Sequence, residues 1–288
     1  MEQPAKEEQA KAFDIAPYLK RGRELTEAGD YAQALTVWDT AVALAPASPA
    51  AHYARARVYL LLGERETAIA ECVQASQLPA ETAADLNGRG GAQLLLNRRG
   101  LALNDLKRAI ALDPTYARAY VNRAAVYLHF KEYAKAIADC DQALELAPDF
   151  NAAYVNRGLV HMMMRNYDAA IRDYELYAAS YPKRADVLAT IGTIYLFKGD
   201  YPAAVSSLSK AIAAAPEYVV AYYNRGYAHA LAGDKGLAVA DLERVATLKA
   251  RTRTRLSARA LLISLRWGYF PLYAALFRFR RPRVNLKI

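Results

Sequence analysis

Residues 117–150 read ARAYVNRAAVYLHFKEYAKAIADCDQALELAPDF, and the 34 residues that follow repeat this pattern in outline. Prolines mark the same period, because Pro114, Pro148, Pro182 and Pro216 follow one another at intervals of 34 residues. Pro46 lies two such periods before the first of them. A fixed period of this size is typical of stacked helical repeats, so the sequence predicts a solenoid and not a single-core domain.

Seven repeats can be aligned on this period. They begin at Ile15, Pro49, Ala83, Ala117, Asn151, Ala185 and Val219. Within each repeat, apolar or small residues recur at helical spacing in two runs, parted by a short turn such as Gly199-Asp200. The eighth place is always small, which lets two helices approach closely: Gly22, Ala56, Gly90, Ala124, Gly158, Gly192 and Gly226. The closing proline cannot donate a backbone hydrogen bond, so we expect it to end the second helix.

These repeats resemble the tetratricopeptide repeat (TPR) family over residues 15–250. The resemblance implies an all-α fold, in which antiparallel helix pairs stack into a right-handed superhelical solenoid and the first helices line a concave groove. The predicted domains are an N-terminal lead-in at 1–14, seven TPR units at 15–252, a capping helix at 253–268 and an aromatic-basic tail at 269–288. Pro79 stands one place early in the second repeat, and Asn97-Arg98-Arg99 predicts a looser turn in the third.

Arginine occupies the seventh place in six of the seven repeats. Such a row could bind phosphates or carboxylates, but an acid usually follows sixteen residues later on the partner helix. In the sixth repeat Ile191 and Ser207 replace both partners together. This joint loss favours salt bridges within repeats over a ligand site. The predicted pairs are Arg55 with Glu71, Arg89 with Asp105, Arg123 with Asp139, Arg157 with Asp173, and Arg225 with Asp241. Arg21 faces Val37 and is freer to contact something else.

A partner-binding groove is implied by the resemblance, at places 2, 5, 9, 12 and 13 of each repeat. Here these places are rich in apolar residues, and methionine packs adaptably against a helix. The groove residues we select are Tyr53, Arg57, Leu128, Leu159, Met162, Met163, Phe197, Tyr223 and Tyr227. The alternative is that several of them pack between neighbouring first helices. The lysine, asparagine and arginine clamp of some TPR domains is not matched, so peptides ending in free acidic carboxylates are not the expected ligand.

No catalytic, metal or cofactor site is predicted. The chain lacks His-x-x-x-His and Cys-x-x-Cys spacings, and Gly88–Gly91 has neither the lysine nor the preceding strand of a phosphate loop. Cys72 and Cys140 occupy the same place in two repeats, which is typical of buried packing residues. Residues 1–14 are a mixed-charge segment unlike a signal peptide, so a cytoplasmic location is expected.

The net charge of +9 is concentrated at the C-terminus. Residues 251–288 hold ten Lys or Arg and no acid, whereas the rest has 28 basic and 29 acidic residues. Three interpretations stay open: a cap followed by a docking segment for an anionic membrane surface or acidic protein, a cap with solvated arginines, or a disordered or non-native extension. The docking residues would be Arg266, Trp267, Tyr269, Phe270, Phe277, Arg278, Arg280, Arg281 and Arg283.

Taken together, these features predict a non-catalytic scaffold that binds a protein or peptide segment in an apolar groove. The alternative function is that of a peripheral membrane-associated assembly factor which docks through its tail. RNA binding through the tail is the weakest reading, because no RNA-binding fold accompanies the interleaved arginines and aromatics. The sequence makes no prediction of the partner's identity or of the oligomeric state.

Overall fold

The computed structural model describes residues 14–248 and 252–266. Across these residues the secondary structure is entirely α-helical, which confirms the predicted fold class. The chain divides into two compact units, of which the N-terminal unit ends at Asp149 and the C-terminal unit begins at Phe150.

The N-terminal unit contains four helix pairs. Its helices are α1 (Ala16–Ala28), α2 (Tyr31–Leu44), α3 (Pro49–Leu62), α4 (Arg65–Gln77), α5 (Ala83–Leu95), α6 (Arg99–Leu112), α7 (Ala117–His129) and α8 (Tyr133–Leu146). Each odd-numbered helix packs against the even-numbered helix that follows it, and α3, α5 and α7 also pack in succession. Only two or three residues link the helices of a pair, so the two must run antiparallel.

The C-terminal unit continues the same order with three pairs and one further helix. Its helices are α9 (Asn151–Met163), α10 (Tyr167–Ser180), α11 (Ala185–Lys198), α12 (Tyr201–Ala214), α13 (Val219–Ala232), α14 (Lys235–Thr247) and α15 (Thr252–Arg266). Here α11 packs on α13, and α15 packs on both α14 and α13. The observed α15 overlaps the capping helix expected at 253–268.

The periodic prolines lie where the second helices end. Pro148, for example, stands two residues beyond Leu146, the last residue of α8. Pro79 stands two residues beyond Gln77 in the same way, so its early position only shortens α4 by one residue relative to α2. The missing N–H and the restricted residue before proline account for both ends.

Turns within the pairs fall into two classes. Gly29, Gly63, Gly199 and Gly233 adopt a left-handed conformation with φ between 83° and 93°, where a side chain would be strained. The third, fourth and fifth repeats instead use a three-residue link with Asn97, Lys131 or Arg165 at φ of 60° to 63°. The turn at Asn97 therefore has the same form as the next two and is not a looser exception.

Close helix approach depends on the small residues at fixed places. A Cβ added to Gly192 would stand 2.6 Å from the side chain of Leu208 on the partner helix. The second helices contribute a buried alanine at the same place of every repeat: Ala34, Ala68, Ala102, Ala136, Ala170, Ala204 and Ala238. Because protein interiors are close-packed, larger residues at either place would push the helices apart.

Candidate functional site

Five arginine–carboxylate pairs join the first and second helices of their repeats. In each pair the arginine Nε and Nη2 both donate to the carboxylate. The closest contacts are 2.7 Å for Arg55–Glu71, Arg89–Asp105, Arg157–Asp173 and Arg225–Asp241, and 2.6 Å for Arg123–Asp139. A two-pronged contact fixes the guanidinium in one orientation, so these arginines are held by their own repeats.

Tyrosines cover several of these guanidiniums. Tyr120 stands three residues before Arg123, and its ring centre lies 5.5 Å from the Arg123 guanidinium carbon. Tyr154 and Arg157, and likewise Tyr222 and Arg225, repeat the arrangement at 5.7 Å and 5.8 Å. Such cation–π contacts favour the charged arginine, and the hydrogen bond to Asp139 also raises the pKa of Arg123.

The second repeat extends the pair into a network of four side chains. His52 stands at the place that a tyrosine over the guanidinium takes in other repeats. Its Nδ1 lies 2.8 Å from Glu71 and its Nε2 3.0 Å from the Pro46 carbonyl oxygen. Arg55 also reaches Asp39 in the preceding repeat at 2.8 Å. Burial raises the pKa of Glu71, but the hydrogen bonds from His52 and Arg55 outweigh it and leave the pKa lowered.

Arg21 does not lack an acid, although none faces it from α2. Its Nη1 lies 3.4 Å from Glu24, three residues further along α1, and both side chains are exposed. An exposed pair of this kind contributes little to stability.

In the N-terminal unit, the predicted groove residues divide between packing and exposure. The ring of Tyr53 packs against Gly91 on α5, where an added Cβ would come within 2.3 Å of the ring. Leu128 is half-buried, whereas Arg57 is exposed. Tyr53 therefore joins two neighbouring first helices, which is the packing role that the sequence left open.

In the C-terminal unit, Leu159 is 3% exposed, so its assignment to the groove surface was wrong. Leu159 stands at the ninth place of its repeat, and Arg57 at the same place of the second repeat is exposed, so burial at this place differs between repeats. Met162 packs against the core of α10 and α11, and Phe197 stacks on Tyr167 with ring centres 6.3 Å apart. Tyr223 and Tyr227 are half-buried against apolar side chains of α14 and α15. Met163 stays exposed.

The exposed apolar side chains of the first helices gather at their C-terminal ends. In the N-terminal unit these are Leu62 on α3, Leu95 on α5 and Phe130 just after α7, which we call the apolar rim. In the C-terminal unit the corresponding places are those of Met163, the last residue of α9, and Met164, which follows it. Leu62 and Phe130 were not predicted, because the family's groove places stop one residue earlier.

An ion pair between distant repeats of the N-terminal unit was also missed. Arg118 at the start of α7 lies 3.3 Å from Glu27 at the end of α1, 91 residues away in sequence. Burial lowers the pKa of Arg118, and the charges of Arg23 and Arg57 lower it further. Only Arg57 had been selected from the sequence, since no spacing within one repeat brings these positions together.

Of the predicted docking residues, the structure describes Arg266 alone. Its guanidinium lies 2.6 Å from Glu243 on α14, and both side chains are exposed. The other eight, Trp267, Tyr269, Phe270, Phe277, Arg278, Arg280, Arg281 and Arg283, lie outside the described residues. Among the described helices none is both long and apolar enough to cross a bilayer.

Comparison with known proteins relates the sequence to repeat families. Residues 22–63 match the TPR repeat, and residues 117–150, 141–185 and 190–253 match tetratricopeptide repeats. No curated protein sequence matches this chain.

Solved structures share the fold at low sequence identity. A tetratricopeptide repeat protein from Parabacteroides merdae is 18% identical with a TM-score of 0.53, covering 87% of this chain and 98% of its own. MamA from Desulfovibrio magneticus RS-1 is 19% identical with a TM-score of 0.55, covering 59% and 96% respectively. The Cut9–Hcn1 hetero-tetramer of APC/C gives 21% identity and a TM-score of 0.57 over 74% of this chain and 42% of the other. The periodic sequence, the paired helices and these matches together establish that the chain belongs to the tetratricopeptide repeat family.

Proposed function

We propose that this protein is a non-catalytic scaffold that binds a segment of a partner protein along the C-terminal ends of its first helices. TPR domains typically serve protein interaction, and Cut9, a structural neighbour, is assembled with Hcn1 in its own complex. The observation that carries the proposal is that exposed apolar side chains recur at the C-terminal ends of first helices in both units: Leu62, Leu95 and Phe130 in the one, Met163 and Met164 in the other. A contiguous exposed apolar patch marks a partner surface, and the proposal assigns such a patch to these helix ends.

Met163 and Met164 provide the equivalent surface in the C-terminal unit. Both side chains are more than a third exposed, at 36% and 42%. Methionine is unbranched and polarisable, so it can adapt to the apolar face of a helical or extended segment. The neighbouring Met162 is half-buried and packs against the core of α10 and α11.

An affinity purification with the full chain tests this function. The variant Met162→Glu/Met163→Glu introduces two carboxylates and should lose the co-purifying partner. Because Met162 also packs in the core, Met163→Glu/Met164→Glu is the cleaner variant, since both changed side chains are exposed. The matched control is Leu176→Glu on the second helix α10, where leucine is 52% exposed. Recovery of the same partner with both methionine variants would rule out this surface.

A second candidate function is membrane docking through the tail. It is favoured by the ten basic residues without an acid in 251–288. A variant that lacks residues 267–288 tests this function. Truncation after Ala250 would also remove α15, which covers apolar side chains of α14. Loss of binding to anionic liposomes with retained protein partners would support a docking tail. A salt-sensitive RNA gel shift that disappears with the tail would instead support nucleic-acid binding.

A further inference from the structure

The last described helix, α15, stands in the position of a first helix. An eighth repeat on the same period would begin 34 residues after Val219, and α15 lies at its start. Four exposed residues occupy the fourth, seventh, eighth and eleventh places of this repeat, and we call them the α15 face: Leu256, Arg259, Ala260 and Ile263. Leu256 is 61% exposed and Ile263 is 50% exposed, so the face is largely open to solvent.

In the complete repeats the same places pack against the second helix of the repeat. A Cβ added at the eighth place of the sixth repeat, Gly192, would stand 2.6 Å from Leu208 on the second helix. The eleventh place is buried in four repeats, where it is Leu25, Gln93, Tyr127 or His229. The α15 face is therefore the surface that receives a second helix elsewhere in the chain.

A different face of α15 holds the helix on the stack. Leu261 is fully buried and packs in one cluster with Leu242 and Val245 of α14 and Ala230 of α13. This packing leaves the α15 face uncovered among residues 14–248 and 252–266. A partner helix could thus bind there without displacing α15.

Arg259 determines the charge that such a helix should carry. Five repeats have arginine at this seventh place, and each binds a carboxylate sixteen residues later on the second helix. In the last of them, Arg225 and Asp241 approach to 2.7 Å. Sixteen residues after Arg259 stands Ala275, and residues 251–288 contain no Asp or Glu. This part of the chain repeats the arginine but not its carboxylate.

No other described carboxylate takes that place. Arg266, on the same helix, is paired with Glu243 at 2.6 Å. Within the described ranges, by contrast, no carboxylate pairs with Arg259. Arg259 is therefore an exposed cation beside two exposed apolar side chains, which is a combination that suits an amphipathic helix carrying an acid.

The chain's own tail matches the pattern of a second helix poorly. The twentieth place is a buried alanine in all seven repeats, as at Ala204 and Ala238, but in the eighth it is Leu272. A larger residue at a close helix contact causes overpacking. A second copy of the chain is disfavoured by charge, since Arg259 would meet the same arginine across a twofold interface.

We propose that the α15 face binds an amphipathic helix of a partner protein, which completes the eighth repeat and places a carboxylate against Arg259. The partner helix should carry a small residue, an acid three places later and an apolar residue next to the acid, as α14 does with Ala238, Asp241 and Leu242. The α15 face shares no residue with the apolar rim or with Met163 and Met164. The proposal therefore goes beyond the scaffold function above and does not rest on it.

A synthetic copy of residues 235–248, which include α14, tests the face with the purified full chain. An isolated helix of this length is marginal in water, so a side-chain cross-link joins its exposed places 240 and 244. Fluorescence anisotropy of the labelled peptide measures binding. We expect Arg259→Gln to weaken binding about tenfold, as loss of a charge-assisted pair implies, and Ile263→Glu to abolish it.

A double-mutant cycle separates the pair from general attraction to a basic chain. The peptide that carries Asp241→Asn should bind wild type about tenfold more weakly than the unchanged peptide does. It should bind Arg259→Gln no more weakly than it binds wild type, because the pair is already lost. Additive losses would contradict an Arg259–carboxylate contact.

Two substitutions in the same unit serve as matched controls. Arg172→Gln removes an exposed arginine on α10, and Leu237→Glu adds a carboxylate at a 56% exposed leucine on α14. Both should leave binding unchanged. The thermal midpoints of Arg259→Gln and Ile263→Glu should stay close to that of wild type, because the changed side chains are exposed. Weaker binding then does not arise from unfolding.

Several outcomes would overturn the proposal. These are no binding by the full chain, or equal losses with Arg259→Gln and Arg172→Gln. Binding only after removal of residues 267–288 would assign the face to the chain's own tail. A dimer in sedimentation velocity that Ile263→Glu dissociates would assign it to a second copy. Binding to anionic liposomes that Ile263→Glu abolishes, without peptide binding, would assign it to a membrane surface.

Discussion

Arg123 on α7 and Asp139 on α8 are joined by two hydrogen bonds, one from Nε at 2.8 Å and one from Nη2 at 2.6 Å. The aspartate side chain is 8% exposed and the arginine side chain 19%. Both charges are therefore largely removed from water, so each depends on the other for its compensation.

Removal of one partner of the Arg123–Asp139 pair should lower the free energy of unfolding more than replacement of both partners by apolar residues. We expect Asp139→Ala to lower the free energy of unfolding by about 3 kcal/mol, because it leaves a largely buried guanidinium unpaired. The double variant Arg123→Met/Asp139→Leu should lose less than about 1 kcal/mol. The sixth repeat provides a natural precedent, since it carries Ile191 and Ser207 at these two places. Urea denaturation of the two variants measures the difference, and equal losses would contradict a coupled pair.

Glu71 should make stability depend on acid pH. Its pKa in the folded protein is lowered below the ordinary value of 4.5, because hydrogen bonds from His52 and Arg55 outweigh burial. A lowered folded pKa means that the stability Glu71 contributes is present above pH 4.5 and is lost as the pH falls through the folded value. The deficit of Glu71→Gln relative to wild type should therefore shrink below that pH in urea denaturation. Glu66→Gln, on the same helix and exposed, is the matched control. If the free energy of unfolding of wild type and of Glu71→Gln falls in parallel with pH, Glu71 is not the source of the pH dependence.

Gly192 should tolerate no side chain. A Cβ there would stand 2.6 Å from Leu208 and 3.2 Å from the Ala204 carbonyl oxygen. We expect Gly192→Ala to lower the free energy of unfolding by about 1–3 kcal/mol through overpacking. A Cβ added to Gly236 in the same unit would have no other atom within 4 Å. Gly236→Ala should therefore raise the free energy of unfolding by about 0.5–1 kcal/mol, since alanine favours a helix. Thermal denaturation of the two variants measures the difference. A shift of both thermal midpoints in the same direction would count against close packing at Gly192.

The last described helix should stabilise the C-terminal unit through one face. Leu261 is fully buried against α14, whereas Leu256 on the same helix is 61% exposed. Leu261→Ala should lower the free energy of unfolding by about 2–5 kcal/mol, because it removes buried apolar surface and leaves a cavity. Leu256→Ala should change stability by no more than about 0.5 kcal/mol. If the two substitutions cost the same in guanidinium denaturation, α15 does not cap the unit.

Much of the local structure could be predicted from periodicity. The places of Pro148 and Gly192 determine where a helix ends and where two helices approach, because both effects act between residues within one repeat. The pairing of Arg225 with Asp241 followed from the same reasoning, since sixteen residues link one helix to its own partner. Leu159 was assigned wrongly to the groove, because its burial depends on how neighbouring first helices meet.

Helix boundaries, close helix approaches and salt bridges within repeats thus arise from local spacing, which a single sequence records directly. The tertiary structure decided what spacing could not: the packing of Tyr53 on Gly91, the exposed ends at Leu62 and Phe130, and the meeting of Arg118 with Glu27 across 91 residues. Those relationships depend on the rotation and translation between successive repeats. Small differences in packing at each step accumulate along the stack, so only the folded chain determines which distant side chains meet.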